Sequence, residues 1–144
     1  MKDGVTIRRT FGAPIDRVFA AFTTPEDFSR WFGTAAIPVP LDTLHMDVRV
    51  GGKWTAIMHL PDGSTKDWEG AYTEVDPPSR LAFTLTDEPG TDAGEPVTVD
   101  LRPVAGGTEL TFWQARHGFS DEQVAAVTAG YGAFFDEMAR IVEG

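Results

Sequence analysis

Apolar and polar positions alternate along most of this chain, and the pattern lengthens to a helical period in three places. Trp54, Ala56, Met58 and Leu60 share one face of a strand, while Lys53, Thr55 and His59 share the other. Pro61-Asp62-Gly63 then reverses the chain into a second strand over 67–75, with proline presetting φ and glycine taking the positive-φ position. Pro77-Pro78 removes two backbone donors and ends that strand, and Leu81, Phe83 and Leu85 alternate in a third. Similar alternation predicts strands over 5–11, 44–50, 97–101 and 108–113, with Ala105-Gly106-Gly107 turning the chain between the last two. Helical spacing begins after Gly12-Ala13-Pro14, over Ile15, Val18, Phe19 and Phe22. It returns over Phe28 and Trp31, where Thr24 is the expected N-cap and Pro25 the first helical residue. The third helix is the longest. Ser120 caps it, Gln123 completes a capping box, and Val124, Val127, Tyr131, Phe134, Phe135, Met138, Ile141 and Val142 form a wide apolar stripe.

This order predicts an α+β fold: a curved, seven-stranded antiparallel meander, two short helices after the first strand, and a long C-terminal helix whose stripe lies on the sheet's apolar face. Residues 33–41 read as an ordered loop, and the acidic, turn-rich stretch 87–95 is expected to be the most mobile part of the chain. Gly70, between Trp68 and Tyr72 on one strand face, is expected to let the sheet bend, with close approach of a ligand as the alternative.

Composition narrows the function classes. With 144 residues, 42% hydrophobic and 24% charged, residues 1–144 fit a single globular domain. The formal net charge of -10 repels phosphate backbones and anionic lipid, so neither nucleic acid nor membrane is an expected partner. Arg8 and Arg9 adjoin in a strand and therefore point to opposite faces, which makes them a poor basic patch. There is no cysteine, hence no disulfide, thiolate nucleophile or cysteine metal site. No apolar run approaches the roughly 18 residues of a membrane span, and a cytoplasmic location is expected.

Signatures of chemistry are sparse. The serines lack a nucleophile elbow, and the glycine pairs 51–52 and 106–107 belong to turns rather than to a phosphate loop. The acidic residues of 87–95 lack the ligand spacing of a calcium loop. His45, His59 and His117 are not spaced as metal ligands, so no metal and no cofactor is expected. A general base among them would need an orienting carboxylate, for which Asp67, Glu69 and Asp121 are the candidates.

The segments VTIRRTFGAPIDRVFAAFTTPEDFSRWFG, GGKWTAIMHLPDGSTKDWEGAYTEVDPPSRLAFTL and GGTELTF resemble the START-like helix-grip superfamily. They are most similar to its bacterial branch named after the activator of the heat-shock-protein-90 ATPase. The resemblance runs from about Val5 to Val142 and departs in two places. Gly33-Thr34 follows Trp31-Phe32 where many members place a proline, and Gly130-Tyr131 stands for the usual Gly-Trp of the last helix. The resemblance implies a cavity between sheet and long helix, in a superfamily of ligand carriers, sequestering proteins, polyketide cyclases and chaperone-associated proteins.

Residues expected to line such a cavity are Trp31, Trp54, Met58, Trp68, Tyr72, Phe83, Phe112, Tyr131 and Phe135, with His117 near its mouth. Rings of this kind also serve as plain core. The first expectation is a non-enzymatic protein, monomeric or homodimeric, that holds a small apolar or aromatic ligand, oriented by Tyr131 or His117. A polyketide-cyclase-like enzyme would use the same cavity and need an inward acid or base. A chaperone-associated binding module would need an exposed apolar patch.

Overall fold

The computed structural model describes residues 4–32, 37–86, 90, 94–116 and 119–143. Its elements are β1 (Gly4–Phe11), α1 (Ile15–Thr23), α2 (Pro25–Trp31), β2 (His45–Met46), β3 (Lys53–His59), β4 (Thr65–Asp76), β5 (Arg80–Phe83), β6 (Val97–Val104), β7 (Gly107–Ala115) and α3 (Asp121–Glu143). The expected seven strands form one antiparallel sheet in the order β1-β7-β6-β5-β4-β3-β2. Strands β2 to β7 are a meander. β1 lies outside that series, against β7, with Gly4 opposite Ala115 and Phe11 opposite Thr108. The helical excursion of α1 and α2 is what carries the chain from one edge of the sheet to the other.

Alternation sorts the strands as expected. Val97, Val99 and Leu101 of β6 and Leu110 and Phe112 of β7 are buried on the concave face, with Thr98, Asp100 and Arg102 turned outward. Gly63 turns the β3–β4 hairpin at φ +89°, its N–H donating to the Leu60 carbonyl at 3.0 Å. β4 stops at Asp76, and a cis peptide joins Pro77 to Pro78. The capping box forms: Ser120 N–H donates to Gln123 Oε1 at 2.8 Å, and Gln123 N–H to Ser120 Oγ at 3.1 Å.

Three expectations change. The strand over 44–50 shrinks to His45–Met46, because Asp47–Gly52 folds into a turn in which Arg49 N–H reaches the Asp47 carbonyl and Gly52 N–H reaches that of Arg49. Val50 is consequently 65% exposed. Thr24 does not cap α2 with its side chain; its hydroxyl turns back and donates to the Ala20 carbonyl at 2.8 Å, closing α1 instead. The stripe of α3 is divided. Phe135, Met138 and Val142 are buried against α1, α2 and β1, while Val124 and Val127 in its first half are only partly covered. Of the stretch 87–95, only 90, 94 and 95 are among the described residues.

Gly70 has a different use from the expected bend. A Cβ there would lie 1.8 Å from the Thr84 carbonyl oxygen and 2.5 Å from Nε1 of Trp54. That indole lies across the glycine and donates to the same carbonyl at 3.1 Å. Thr84 cannot yield, because its N–H and hydroxyl both pair with the backbone of Ala71, at 2.8 and 2.9 Å. Gly70→Ala should therefore cost about 3 kcal/mol in urea unfolding. Gly130→Ala, on a helix surface with open space around it, should instead add up to about 1 kcal/mol.

Candidate ligand-binding face

α2 places three rings within five residues, and they join the sheet to both other helices. Phe28 meets Trp54 of β3 with ring centroids 5.6 Å apart. Trp31 meets Phe22 of α1 at 5.2 Å and Phe135 of α3 at 6.0 Å. Phe32 meets Trp68 of β4 and Phe134 of α3, each at 5.6 Å. The tandem helix start after Thr24 is what sets these rings at the spacing of one face.

The residues expected to line a cavity fall into two groups. Trp54, Tyr72 and Phe83 pack at 6.1 and 6.2 Å on the β3–β5 side, with Met58 buried further along β3. Trp31, Phe112, Tyr131 and Phe135 pack together under α3, with Phe112 to Tyr131 at 4.5 Å and Phe112 to Phe135 at 5.4 Å. Phe28 and Phe32 connect the groups. Most of these rings are in mutual contact and nearly inaccessible, so that part of the space is occupied by side chains. Trp68, Tyr131 and Phe134 are the exceptions, being only partly buried. His117 lies outside the described residues.

These partly open rings, joined by the buried Phe112 and Phe32, form a continuous wall. It runs from Phe112 on β7 through Tyr131 and Phe134 on α3 to Phe32, and ends at Trp68 on β4. Val124 and Val127 continue the Tyr131–Phe134 face toward the start of α3, at helical spacings of three and four. Phe32 and Phe134 were absent from the expected lining. Their signal was the i, i+4 pair Phe28–Phe32 and the run Tyr131-Phe134-Phe135, in which neighbours on a helix share a broad face.

Polar groups on this face are few. Tyr131 donates its hydroxyl to Gln114 Oε1 at 2.7 Å, so the expected orienting hydroxyl already has a protein acceptor. Gln114 was legible as the next inward position after Leu110 and Phe112. The indole N–H groups of Trp31 and Trp54 donate to the carbonyls of Ala21 and Thr84, at 2.7 and 3.1 Å. The Trp68 N–H is buried and has no hydrogen-bond partner among the described residues. Thr108, which donates to the Ala13 carbonyl at 2.8 Å, is the one polar residue fully buried among those described, so no carboxylate or imidazole among them is buried.

The carboxylates that sequence offered as partners for a histidine base point elsewhere. Asp67 and Glu69 alternate with Trp68 and lie on the convex side, where they and His45 border a cavity of about 490 Å³. Asp121 pairs with Arg116 at 2.6 Å. A second convex cavity, about 880 Å³, lies across Thr6, Trp113, Thr98 and Ala82, which stand opposite one another on four adjacent strands. Arg8 and Arg9 do face opposite ways: Arg9 reaches Asp136 of α3, and Arg8 is exposed on the convex side.

The model of the family described as activator of Hsp90 ATPase homolog 1-like protein matches residues 12–143. The chain belongs to that family. AHSA1-like architecture also appears in solved structures. The crystal structure of protein CV1439 from Chromobacterium violaceum is similar at 26% identity, covering 100% of this chain and 99% of that one, with a TM-score of 0.85. The solution structure of an AHSA1-like protein from Aeromonas hydrophila is similar at 26% identity, covering 97% and 92%, with a TM-score of 0.79. Protein NE0264 from Nitrosomonas europaea, 19% identical over 97% and 94%, shares the fold with a TM-score of 0.84. No protein of curated function matches this chain. No helix among the described residues is long and apolar enough to cross a membrane.

The tyrosines supply a test of how this AHSA1-like core is packed. Burial raises the phenol pKa of both Tyr72 and Tyr131 above the ordinary value of 10.0, and the Asp47 carboxylate adds to the effect at Tyr72. A folded pKa above the unfolded one stabilises the fold fully below about pH 10, and that contribution is lost as pH rises through the folded values. The chain has two tyrosines, so tyrosinate absorbance in alkaline titration should develop only together with loss of the near-ultraviolet circular dichroism. A folded protein with half its tyrosinate signal near pH 10 would contradict the packing.

Proposed function

We propose that this AHSA1-like chain is a cytoplasmic binding protein for a small, flat, largely apolar molecule. The molecule lies on the concave side, between the β4–β7 part of the sheet and the first half of α3. One observation carries the reading: the wall of rings from Phe112 to Trp68 is continuous, yet its members Tyr131, Phe134 and Trp68 are only partly buried. A core that existed only for stability would bury those rings further, since each fully covered aromatic side chain contributes on the order of 2–3 kcal/mol. A flat ligand laid on the wall removes that remaining surface from water and gains edge and face contacts with the rings. Val124 and Val127 supply an apolar flank on the helix side.

Binding is favoured over catalysis by the same face. Among the described residues its polar groups are an amide, a phenol raised by burial, an indole N–H and the Lys66 ammonium, with no buried carboxylate or imidazole to act as a base. Tryptophan fluorescence titrated with polycyclic, fatty-acyl and polyketide-like compounds should show saturable quenching by a member of the polycyclic set. Phe134→Ala, which opens the middle of the wall, should weaken that binding at least about tenfold while unfolding remains cooperative. Absence of any saturable response from folded wild-type protein would overturn the reading and shift attention to a protein partner. Chemical change in a bound compound would replace the carrier with an enzyme.

A further inference from the structure

Trp68 ends the ring wall, and it differs from the other wall residues in carrying a buried hydrogen-bond donor with no acceptor among the described residues. Alternation along β4 sets its side chain on the concave face with Lys66, Gly70 and Tyr72, and its neighbours across the ladder are Ala56 and, diagonally, Trp54 and Met58. Its ring sits 5.6 Å from that of Phe32, and the Lys66 ammonium lies 5.7 Å from its centroid. The surroundings of the indole are thus apolar on one side and cationic on another. Neither a phenylalanine ring nor an ammonium accepts a hydrogen bond.

A buried N–H without an acceptor is unfavourable relative to one that is satisfied. The protein avoids this cost at Trp31 and Trp54, whose indoles are both aimed at backbone carbonyls. Phenylalanine at position 68 would keep the ring contacts and remove the cost, and an acceptor on a bound molecule would account for a tryptophan here. We infer that the ligand of this face carries a hydrogen-bond acceptor, a carbonyl or equivalent oxygen on an otherwise apolar ring system, and that Trp68 N–H receives it. This rests on the proposed ligand-binding reading and adds a polarity and a direction to it. The oxygen points to β4, and the hydrocarbon body extends along Phe32 and Phe134 toward Tyr131. Desolvation of a carbonyl is compensated at that one point, whereas a group that only donates, such as an ammonium, would face a donor there and a cation beside it.

Fluorenone and fluorene separate the two statements, because they share three fused rings and differ by a carbonyl in place of a methylene. Fluorenone should bind wild-type protein about tenfold more tightly than fluorene, and Trp68→Phe should bring the two within about twofold of each other by weakening only the ketone. A second readout does not depend on affinity. Of the four indole N–H signals in a proton–nitrogen correlation spectrum, the one missing from Trp68→Phe should move downfield when fluorenone is added and not when fluorene is. Equal binding of both compounds to wild-type protein would overturn the inference and leave the apolar pocket standing. A ketone preference that survives Trp68→Phe would also overturn it, by assigning the donor to another group. Failure of both compounds, joined by failure of anthracene and anthraquinone, would overturn the pocket and the inference together.

Discussion

One turn of a short helix holds the architecture together. Phe28 and Trp31 of α2 and Phe32 just after it are inserted where sheet, α1 and α3 meet: Phe28 and Phe32 contact the sheet, Trp31 reaches α1, and Trp31 and Phe32 both reach α3. Edge-to-face pairs of this kind contribute about 0.5–1.5 kcal/mol each beyond simple burial, and they fix angles as well as distances. The orientation of α3 over the sheet is therefore set mainly through α2. Direct contact with the sheet comes from single residues such as Phe135 on Phe112. The Trp31 and Trp54 indoles bind this junction to backbone carbonyls of α1 and of the segment after β5, which ties its position to two main-chain segments.

The fold was largely legible because its determinants are local. Period-two alternation, the Pro-Asp-Gly turn, the paired prolines and the Ser120–Gln123 box each act within a few residues, and each appears in the structure at its expected place. The failures share a cause in that they depend on contacts far along the chain. Val48 and Val50 alternate like a strand, but a strand needs a partner, and β3 offers one only to His45 and Met46. Thr24 carries the chemistry of an N-cap, yet the preceding helix ends one residue earlier, and the Ala20 carbonyl there accepts both the N–H and the hydroxyl of Thr24. Gly70 resembles a bend from sequence alone, and only the indole from Trp54 and the carbonyl of Thr84 reveal why no side chain fits.

The candidate site was legible as a set of rings and not as a surface. Sequence could collect Trp31, Trp54, Met58, Tyr72, Phe83, Phe112 and Phe135 because they occupy apolar phases of their elements. It could not tell which would be covered by neighbours and which would stay partly open. That distinction depends on where α3 crosses, which is a property of the junction. Nor could it tell that Tyr131 would spend its hydroxyl on Gln114 while Trp68 kept its donor unused. Hydrogen-bond satisfaction is a property of the assembled structure.

The polar ties of α3 are unevenly distributed. Arg9 reaches Asp136, Gly12 N–H donates to Glu143 at 3.0 Å, and Arg17 lies 3.5 Å from the Ile141 carbonyl, so all three fasten the half that also holds Phe135, Met138 and Val142. Ahead of them stand Gly130 and Gly132, which propagate a helix poorly, and then two turns held by a capping box, the Arg116–Asp121 ion pair and two half-covered valines. The half of α3 that carries Phe135, Met138 and Val142 therefore holds most of the helix's long-range ties. Local opening costs less where fewer buried contacts must break, so the first half of α3, on the side that meets the ring wall, is expected to open at a lower free energy than the rest of the helix.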